Sequence, residues 1–430
     1  MKALFTDRTK RTNFLYILEA ALEYFVSIAV GTVYLAKITE YIGISDSLTG
    51  ILSSFVSLGC GFQIIAVFLA HKKPVKRWVT ALHMLSQTLF ALLYFVPLFD
   101  ISQTAKTVIF VALLLLAQII HNAVNSPKIN WYMSMVEDKK RGRFTANKEI
   151  VSLIGGMAFS YGMGAVMDSF ENARNMRGAF IVGGITLFVL MLLHSLTLIF
   201  AYEKPTERQQ SSVKKELQAL CKDKTLFKVV LIPVFWNIAH YVITPFMSTY
   251  QTKELGFSTT FASVVIMAGS LCRVLFSKPM GRFADKRSFV DMLIVCYVIE
   301  IAAFAVNVFT NPSNGQVLYA VYYLLYTAGM AGINSGVINL IYDYVSVDRR
   351  TSALALTQTL SGIAGFVTTL AVSPLVSVIQ QNGNTVLGVP VYAQQLLSLL
   401  GCILTAALLV YVIFVVRKIK KVNVPDNSAE

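Results

Sequence analysis

LLSLLGCILTAALLVYVIFVV, residues 396–416, contains no charged side chain. At about 1.5 Å of rise per residue, a helix of that length is about 30 Å long, the thickness of a bilayer's hydrocarbon core. The run therefore reads as a membrane-spanning helix. Working outward toward the N-terminus, the same reading applies eleven more times. The predicted spans are 13–36, 47–70, 77–99, 106–135, 146–168, 178–202, 226–250, 257–276, 288–310, 315–342, 352–378 and 393–416. Several are longer than the hydrocarbon requires, which implies tilt or helical extension into the interface.

Composition agrees with this. Hydrophobic residues make up 55% of the 430-residue chain and charged residues 14%, where a soluble domain carries about 25% charged residues. The formal net charge of +14 would suit a nucleic-acid partner, but the position of the charge argues otherwise. Thirty of the 37 Lys and Arg residues lie in the N-terminal segment 1–12, in alternate breaks at 71–78, 137–148, 203–228, 277–288 and 344–352, and in the tail from 417 to 430. The intervening breaks hold only Lys37, Lys106, Arg174, Arg177 and Lys253; Lys128 and Arg273 fall inside apolar spans. Alternation of this kind is the positive-inside pattern. It predicts an even number of spans, both termini in the cytoplasm, a location in the cytoplasmic (inner) membrane and no nucleic-acid partner.

The basic N-terminus, Arg8, Lys10 and Arg11 before an apolar run from Phe14, is expected to be an uncleaved first span, since no small-residue cleavage site follows it. The five cysteines, Cys60, Cys221, Cys272, Cys296 and Cys402, form no C-x-x-C pair. Neither a disulfide framework nor a metal site is expected, and no cofactor.

The polar segment 203–228 divides the chain. The expected parts are a six-helix bundle over 1–203, a cytoplasmic linker over 204–225, a second bundle over 226–417 and a tail over 418–430. Within the linker, Val213, Leu217 and Leu220 recur at helical spacing and predict a short amphipathic surface helix. The two bundles read as repeats. Asn125-Ser126-Pro127-Lys128-Ile129-Asn130 and Asn334-Ser335-Gly336-Val337-Ile338-Asn339 agree at four of six positions. Asp138-Lys139-Lys140 corresponds in character to Asp348-Arg349-Arg350, Gly155 to Gly365, and Gly43 with Ser45 to Gly256 with Ser258.

Between the eighth and ninth predicted spans lies Gly281-Arg282-Phe283-Ala284-Asp285-Lys286-Arg287. It resembles the G-x-x-x-D-[RK] loop of the major facilitator superfamily. Twelve spans in two halves, a basic central linker and a basic run after the fourth span (Asp138 to Arg143) extend the resemblance over the whole chain. The implied fold is an all-α membrane protein, with twelve transmembrane helices in two six-helix pseudo-symmetric bundles. The resemblance implies a gating role for Gly281, Arg282, Asp285 and Arg287: glycine admits a close approach of helix ends, and the aspartate faces a helix N-terminus. The first-half copy departs from the pattern, with Phe68 and Lys72 in place of the glycine and aspartate. In this family the first, fourth, seventh and tenth helices line a central cavity.

Polar residues concentrate on those four helices. An ionisable group in hydrocarbon is costly and marks a functional position by default. The first span carries Tyr16, Glu19, Glu23 and Ser27 on one stripe, with Tyr24 beside it. Glu23 lies about 15 Å into the span, near the midplane. Two carboxylates one turn apart in a dry site can exchange a proton, so Glu19 and Glu23 are the expected coupling groups, with His121. The fourth span carries His121, Asn122, Asn125 and Lys128, and Lys128 is the expected counter-charge of Glu19 or a hold on an anionic substrate group. The seventh carries Trp236, Asn237, His240, Tyr241 and Thr244, with a kink expected at Pro245. The tenth carries Tyr323, Thr327, Asn334 and Asn339. The expected substrate contacts are Tyr24, Asn122, Asn125, Lys128, Trp236, Asn237, His240, Tyr241, Asn334 and Asn339. Glu300 and His194, on spans peripheral in the family, are expected to be paired with neighbours.

The reading is a secondary transporter, not an enzyme. No H-E-x-x-H, no G-x-S-x-G and no catalytic carboxylate pair at a membrane face is present. Its substrate would be a small polar organic solute such as a sugar, carried by alternating access in symport with protons, by a monomer. The drug–proton antiporters of the family carry a glycine-proline pattern in the fifth helix and an arginine in the fourth. Here the fifth span has Gly155, Gly156, Gly162 and Gly164 without proline, and the fourth has no arginine. Two alternatives stand beside the symporter: a proton-coupled exporter of drugs or metabolites, and a non-transporting sensor with a transporter fold.

Overall fold

The computed structural model describes residues 8–65, 75–136, 141–203, 220, 222–345, 350–386 and 388–419. Among these residues, twelve helices are long and apolar enough to cross a membrane. They are α1 (Arg8–Ile42), α2 (Asp46–Ile65), α3 (Val75–Leu98), α4 (Gln103–Met133), α5 (Asn147–Asn172), α6 (Met176–Phe200), α7 (Lys224–Glu254), α8 (Thr259–Lys286), α9 (Phe289–Val308), α10 (Gly315–Ile341), α11 (Ser352–Gln381) and α12 (Ala393–Lys418). A two-residue hairpin, β1 (Thr385–Val386) against β2 (Val389–Pro390), precedes α12. The fold class and span count are as expected. The surface helix at Val213 and Leu217, the positions of Phe68 and Lys72, and Asp138-Lys139-Lys140 lie outside the described residues.

The helices α1 and α7 are broken at matching places. In α1, regular helix stops at Ala29 and restarts at Thr32, with extended backbone at Gly31 and a φ of 50° at Thr32. A carbonyl freed inside a membrane helix needs a new donor; the Tyr94 hydroxyl of α3 donates to the Ala29 carbonyl at 2.7 Å. In α7, the helix stops at Tyr241 and passes through a 3₁₀ turn at Thr244–Phe246. The cause is Pro245, which has no N–H and crowds the preceding turn. Here Thr369 of α11 donates to the Tyr241 carbonyl at 3.0 Å, and Thr244 donates to the His240 carbonyl at 3.0 Å.

Twelve positions before Gly43 is Gly31, and twelve before Gly256 is Thr244, so both breaks sit at the same distance from the glycine that ends the helix. Both glycines are left-handed, with φ of 86° and 66°, which a side chain would resist. Two residues on, Ser45 accepts from the Leu48 amide at 3.3 Å and Ser258 from the Phe261 amide at 3.1 Å, each capping the next helix. The duplicated G-x-S signature of the sequence is thus a duplicated helix-stop, helix-start device.

The chain forms two compact units. One takes in the described residues up to 203 together with Pro245–Met267; the other takes in those from 220 to Thr244 and from Ala268 onward. Polar contacts explain why 245–267 belongs with the first unit. Lys253 pairs with Asp46. The Tyr34 hydroxyl donates to the Ser160 carbonyl at 2.7 Å and lies 3.2 Å from Ser263 Oγ. Asp168, near the end of α5, accepts from the Thr259 and Thr260 amides at 2.9 and 2.8 Å, a carboxylate on the N-terminus of α8. In the same unit, Glu203 accepts from the Val75 and Lys76 amides at 2.7 and 3.2 Å and so caps α3.

The helix α8 is longer than the sequence suggests. The predicted eighth span ends at 276, but α8 continues to Lys286, ten residues further. Most of the Gly281–Arg287 motif is therefore helix rather than loop. No described neighbour lies within 4 Å of where a Cβ would stand at Gly281. Arg282, Asp285 and Arg287 are exposed, and Arg287 covers its own Phe283 ring at 5.4 Å. The close helix approach expected at Gly281 is not found among the described residues; in the first unit carboxylates meet helix N-termini at Asp168 on α8 and at Glu203 on α3.

Candidate functional site

The first unit buries an ionic cluster. The i, i+3, i+7 spacing of Tyr16, Glu19 and Glu23 puts all three on one face of α1. On α4, His121 and Lys128 are seven residues apart and also share a face. Lys128 Nζ lies 2.7 Å from Glu19 Oε1 and 2.5 Å from Glu23 Oε2, so one ammonium bridges both carboxylates. Side-chain exposure is 1% for Lys128 and 0% for Glu19, against 19% for Glu23. A buried charge survives only when paired and hydrogen-bonded, and here each carboxylate has the same cation.

Imidazoles complete the cluster. His194 of α6 is fully buried, with Nε2 at 2.9 Å from Glu19 Oε1. His83 of α3 places Nε2 at 3.3 and 3.2 Å from His194 Nδ1 and Nε2. His121 Nε2 comes within 3.4 Å of Glu23 Oε1, and its exposure of 18% matches that of Glu23. Below the cluster, Tyr16 stacks flat on Tyr132 at 4.4 Å, and Tyr132 on Trp131 at 4.8 Å. Lys148 Nζ reaches the Tyr16 hydroxyl at 3.4 Å. These rings close one end of the cluster with apolar surface.

The structure thus brings together Glu19, Glu23, His121 and Lys128. It adds His83, which the sequence did not single out, and His194, expected only as a peripheral paired residue. The available signal was that an imidazole inside an apolar helix is costly wherever it sits; convergence of α3 and α6 on α1 is not visible in any local pattern.

Other candidates are placed differently. Asn122 turns toward α2: its amide donates to the Gln118 carbonyl at 2.9 Å and its carbonyl accepts from Cys60 at 3.4 Å. Its buried amide serves α2–α4 packing. Asn125 is half-buried, and Tyr24 lies against α5 at Gly156.

In the second unit Trp236 is 4% exposed and packs against Tyr297 at 5.5 Å and Phe304 at 6.5 Å, both on α9. It is a helix-packing residue, a correction to its expected substrate contact. Asn334 is exposed, and Asn339 donates to the Ser335 carbonyl of its own helix at 2.9 Å. Asn237, His240 and Tyr241 are half-buried. His240 stacks on Tyr326 at 5.8 Å and meets Tyr241 edge-on at 5.2 Å. Tyr319, Tyr322, Tyr323 and Tyr326 form a tyrosine ladder along α10, with centroids 5.4 to 6.4 Å apart. Behind it, Glu300 is 0% exposed and neither carboxylate oxygen has a hydrogen-bond partner among the described residues. This corrects the expectation of a paired Glu300.

Twelve apolar helices, a duplicated helix break and an ionic cluster held out of water define a multi-pass membrane protein of the transporter class. The model of the Major Facilitator Superfamily matches residues 14–369, and the chain belongs to that superfamily. No curated protein matches the sequence significantly. Among solved structures, a mutant of the nucleoside transporter NupG is similar with a TM-score of 0.71 and 16% identity, over 94% of this chain and 99% of that one. The D-xylose-proton symporter is similar at 0.67 and 15%, over 94% and 97%. A bacterial metal transporter is similar at 0.64 and 13%, over 95% and 98%. At these identities the likeness is one of fold.

Proposed function

We propose that the chain is a proton-coupled symporter of a small polar organic solute, a sugar or nucleoside, working by alternating access in the cytoplasmic membrane with both termini inside. The observation that carries this reading is the Glu19–Lys128–Glu23 bridge. Its inner carboxylate is sealed, and its outer one, Glu23, is partly open beside His121. A carboxylate whose counter-ion can be shared is able to gain or lose a proton with modest rearrangement, which is what coupling requires. The half-buried rings of His240, Tyr241, Tyr323 and Tyr326 supply flat faces on which a sugar or base can stack. Structures of similar fold include a nucleoside transporter and a D-xylose-proton symporter, which supports the choice of substrate class.

The test is uptake of labelled pentoses, hexoses and nucleosides into proteoliposomes, with and without an imposed proton gradient. At least one of them should accumulate only with the gradient. Glu23→Gln should abolish accumulation while leaving counterflow exchange of the same solute measurable. Accumulation that persists in Glu23→Gln removes Glu23 from coupling. Export of the solutes, or binding without flux, removes the symporter reading.

A further inference from the structure

We propose that His83 and His194 form, with Glu19, an internal store for one proton, reached through Glu23 and His121. This deepens the proton-coupled reading and rests on it for its physiological use.

The inference starts from hydrogen bookkeeping. An ionised Glu19 has no hydrogen, so the 2.9 Å contact to Glu19 Oε1 requires that His194 carry its hydrogen on Nε2. In neutral His194 the other nitrogen, Nδ1, is then an acceptor. His83 Nε2 lies 3.3 Å from Nδ1 and 3.2 Å from Nε2 of His194; with Nε2 carrying its own hydrogen, only Nδ1 can accept, and His83 Nε2–H donates to it. His83 Nδ1 has no hydrogen-bond partner among the described residues, and it ends the series. Every bond in this chain points the same way, toward Glu19.

Such a chain moves a proton without moving heavy atoms. A proton arriving on His83 Nδ1 releases the Nε2 hydrogen of His83 to His194 Nδ1. His194 then releases its Nε2 hydrogen to Glu19 Oε1. One proton has entered, both imidazoles are neutral in the opposite tautomer, and Glu19 has become a carboxylic acid. Entry is available from the more open end. One ring nitrogen of His83, one of His121 and an oxygen of Glu23 lie within 4.8 Å of one another, and the His83 and His121 ring centroids are 5.7 Å apart.

Charge counting gives the same capacity. The groups facing the store are Tyr16, Glu19 and Glu23 from α1, His83 from α3, His121, Lys128 and Tyr132 from α4, Lys148 from α5 and His194 from α6. Two carboxylates stand against one ammonium, Lys128, at salt-bridge distance. Lys148 is held one layer away by Tyr16 and is half-buried, so water screens it. Counted with its partly open member Glu23, the cluster therefore lacks one positive charge, and one added proton balances it.

The trios Glu19–His83–His194 and Glu23–His83–His121 also have ligand atoms close enough to hold a metal ion. Lys128 argues against that occupant. Its ammonium already sits 2.7 and 2.5 Å from the two carboxylates, and a divalent ion there would face a fixed positive charge at contact.

The experiment is a pH titration of the full-length protein in lipid nanodiscs, labelled with ¹⁵N-histidine, with His83 and His194 assigned through His83→Gln and His194→Gln. In the wild type the two residues should exchange tautomers in one shared step, with one proton taken up per molecule by pH-indicator dye. Glu19→Gln should abolish that step for both histidines while leaving His240 unchanged. Separate titration of His83 and His194, or fixed tautomers insensitive to Glu19→Gln, would overturn the proposal. Displacement of the same signals by micromolar Zn²⁺ or Mn²⁺ would also overturn it, in favour of a metal site. The wild-type titration needs no variant to fold, and it is independent of substrate. A shared step without proton-driven uptake sinks the symporter reading alone; uptake without a shared step sinks the store alone.

Discussion

Lys128 shows how a single residue can decide whether a buried cluster is tolerable. Its ammonium is the only cation within salt-bridge distance of either Glu19 or Glu23 among the described residues. Removing one member of a buried ion pair typically costs about 3–5 kcal/mol, since the partner is left charged and desolvated. Here two partners would be left, at side-chain exposures of 0% and 19%. Lys128→Met should therefore lower stability by about that amount, read as a fall in thermal unfolding temperature in detergent. The triple variant Lys128→Met, Glu19→Gln, Glu23→Gln should recover most of the loss, as all three charges are then gone. Recovery that fails to occur would mean that Lys128 acts through its packing stem rather than its charge. The pairing of Lys128 with Glu19 was legible in the sequence, because both are expensive in hydrocarbon and both occupy polar stripes. His83 was not: it shares a polar side of α3 with Thr80, Ser86 and Gln87, and only tertiary packing brings it to His194.

Helix breaks operate at the next scale. Pro245 announces the break in α7 by its chemistry, but nothing in the local sequence of α1 announces the break at Gly31 with equal force. A single glycine costs a helix only about 1 kcal/mol and often does not interrupt it. What stabilises the α1 break is remote: the Tyr94 hydroxyl takes up the freed Ala29 carbonyl. That is why the boundary between Ala29 and Thr32 was absent from a reading based on apolar runs, whereas the helix stops at Gly43 and Gly256 were legible as a repeated G-x-S. Those stops can be compared quantitatively. A left-handed conformation costs a residue with a Cβ roughly 1–2 kcal/mol. Gly256 has open space around the missing Cβ, so Gly256→Ala should lose about that backbone strain and no more. At Gly43 a Cβ would also meet the Gln103 side chain, which donates to the Gly43 carbonyl at 2.8 Å. Gly43→Ala should be the more destabilising of the two in chemical unfolding of the purified protein. An equal loss would show that Gln103 adapts freely.

Orientation belongs to the whole molecule, and it follows from the charge pattern rather than from any one helix. Basic loops resist translocation, so the breaks that hold thirty of the 37 Lys and Arg residues are expected on the cytoplasmic side. Consecutive spans alternate sides, so the short, poorly basic breaks after α5 and α9 are expected on the opposite one. Ala173 and Ser313 lie in those two breaks and are exposed, as are Lys222 and Arg287 in basic breaks. The labelling experiment replaces Cys60, Cys221, Cys272, Cys296 and Cys402 with serine and introduces one cysteine at a time. In intact cells a membrane-impermeant maleimide should label Ala173→Cys and Ser313→Cys, and should reach Lys222→Cys and Arg287→Cys only after permeabilisation. The reverse pattern would place both termini outside. Labelling of one pair member from each side would mean that a predicted span fails to cross, since an odd number of crossings between these positions is the only way to separate Ala173 from Ser313. If the span that fails is α6 or α7, the correspondence between the two halves breaks as well, because the duplicated stops at Gly43 and Gly256 would then end their helices on opposite faces.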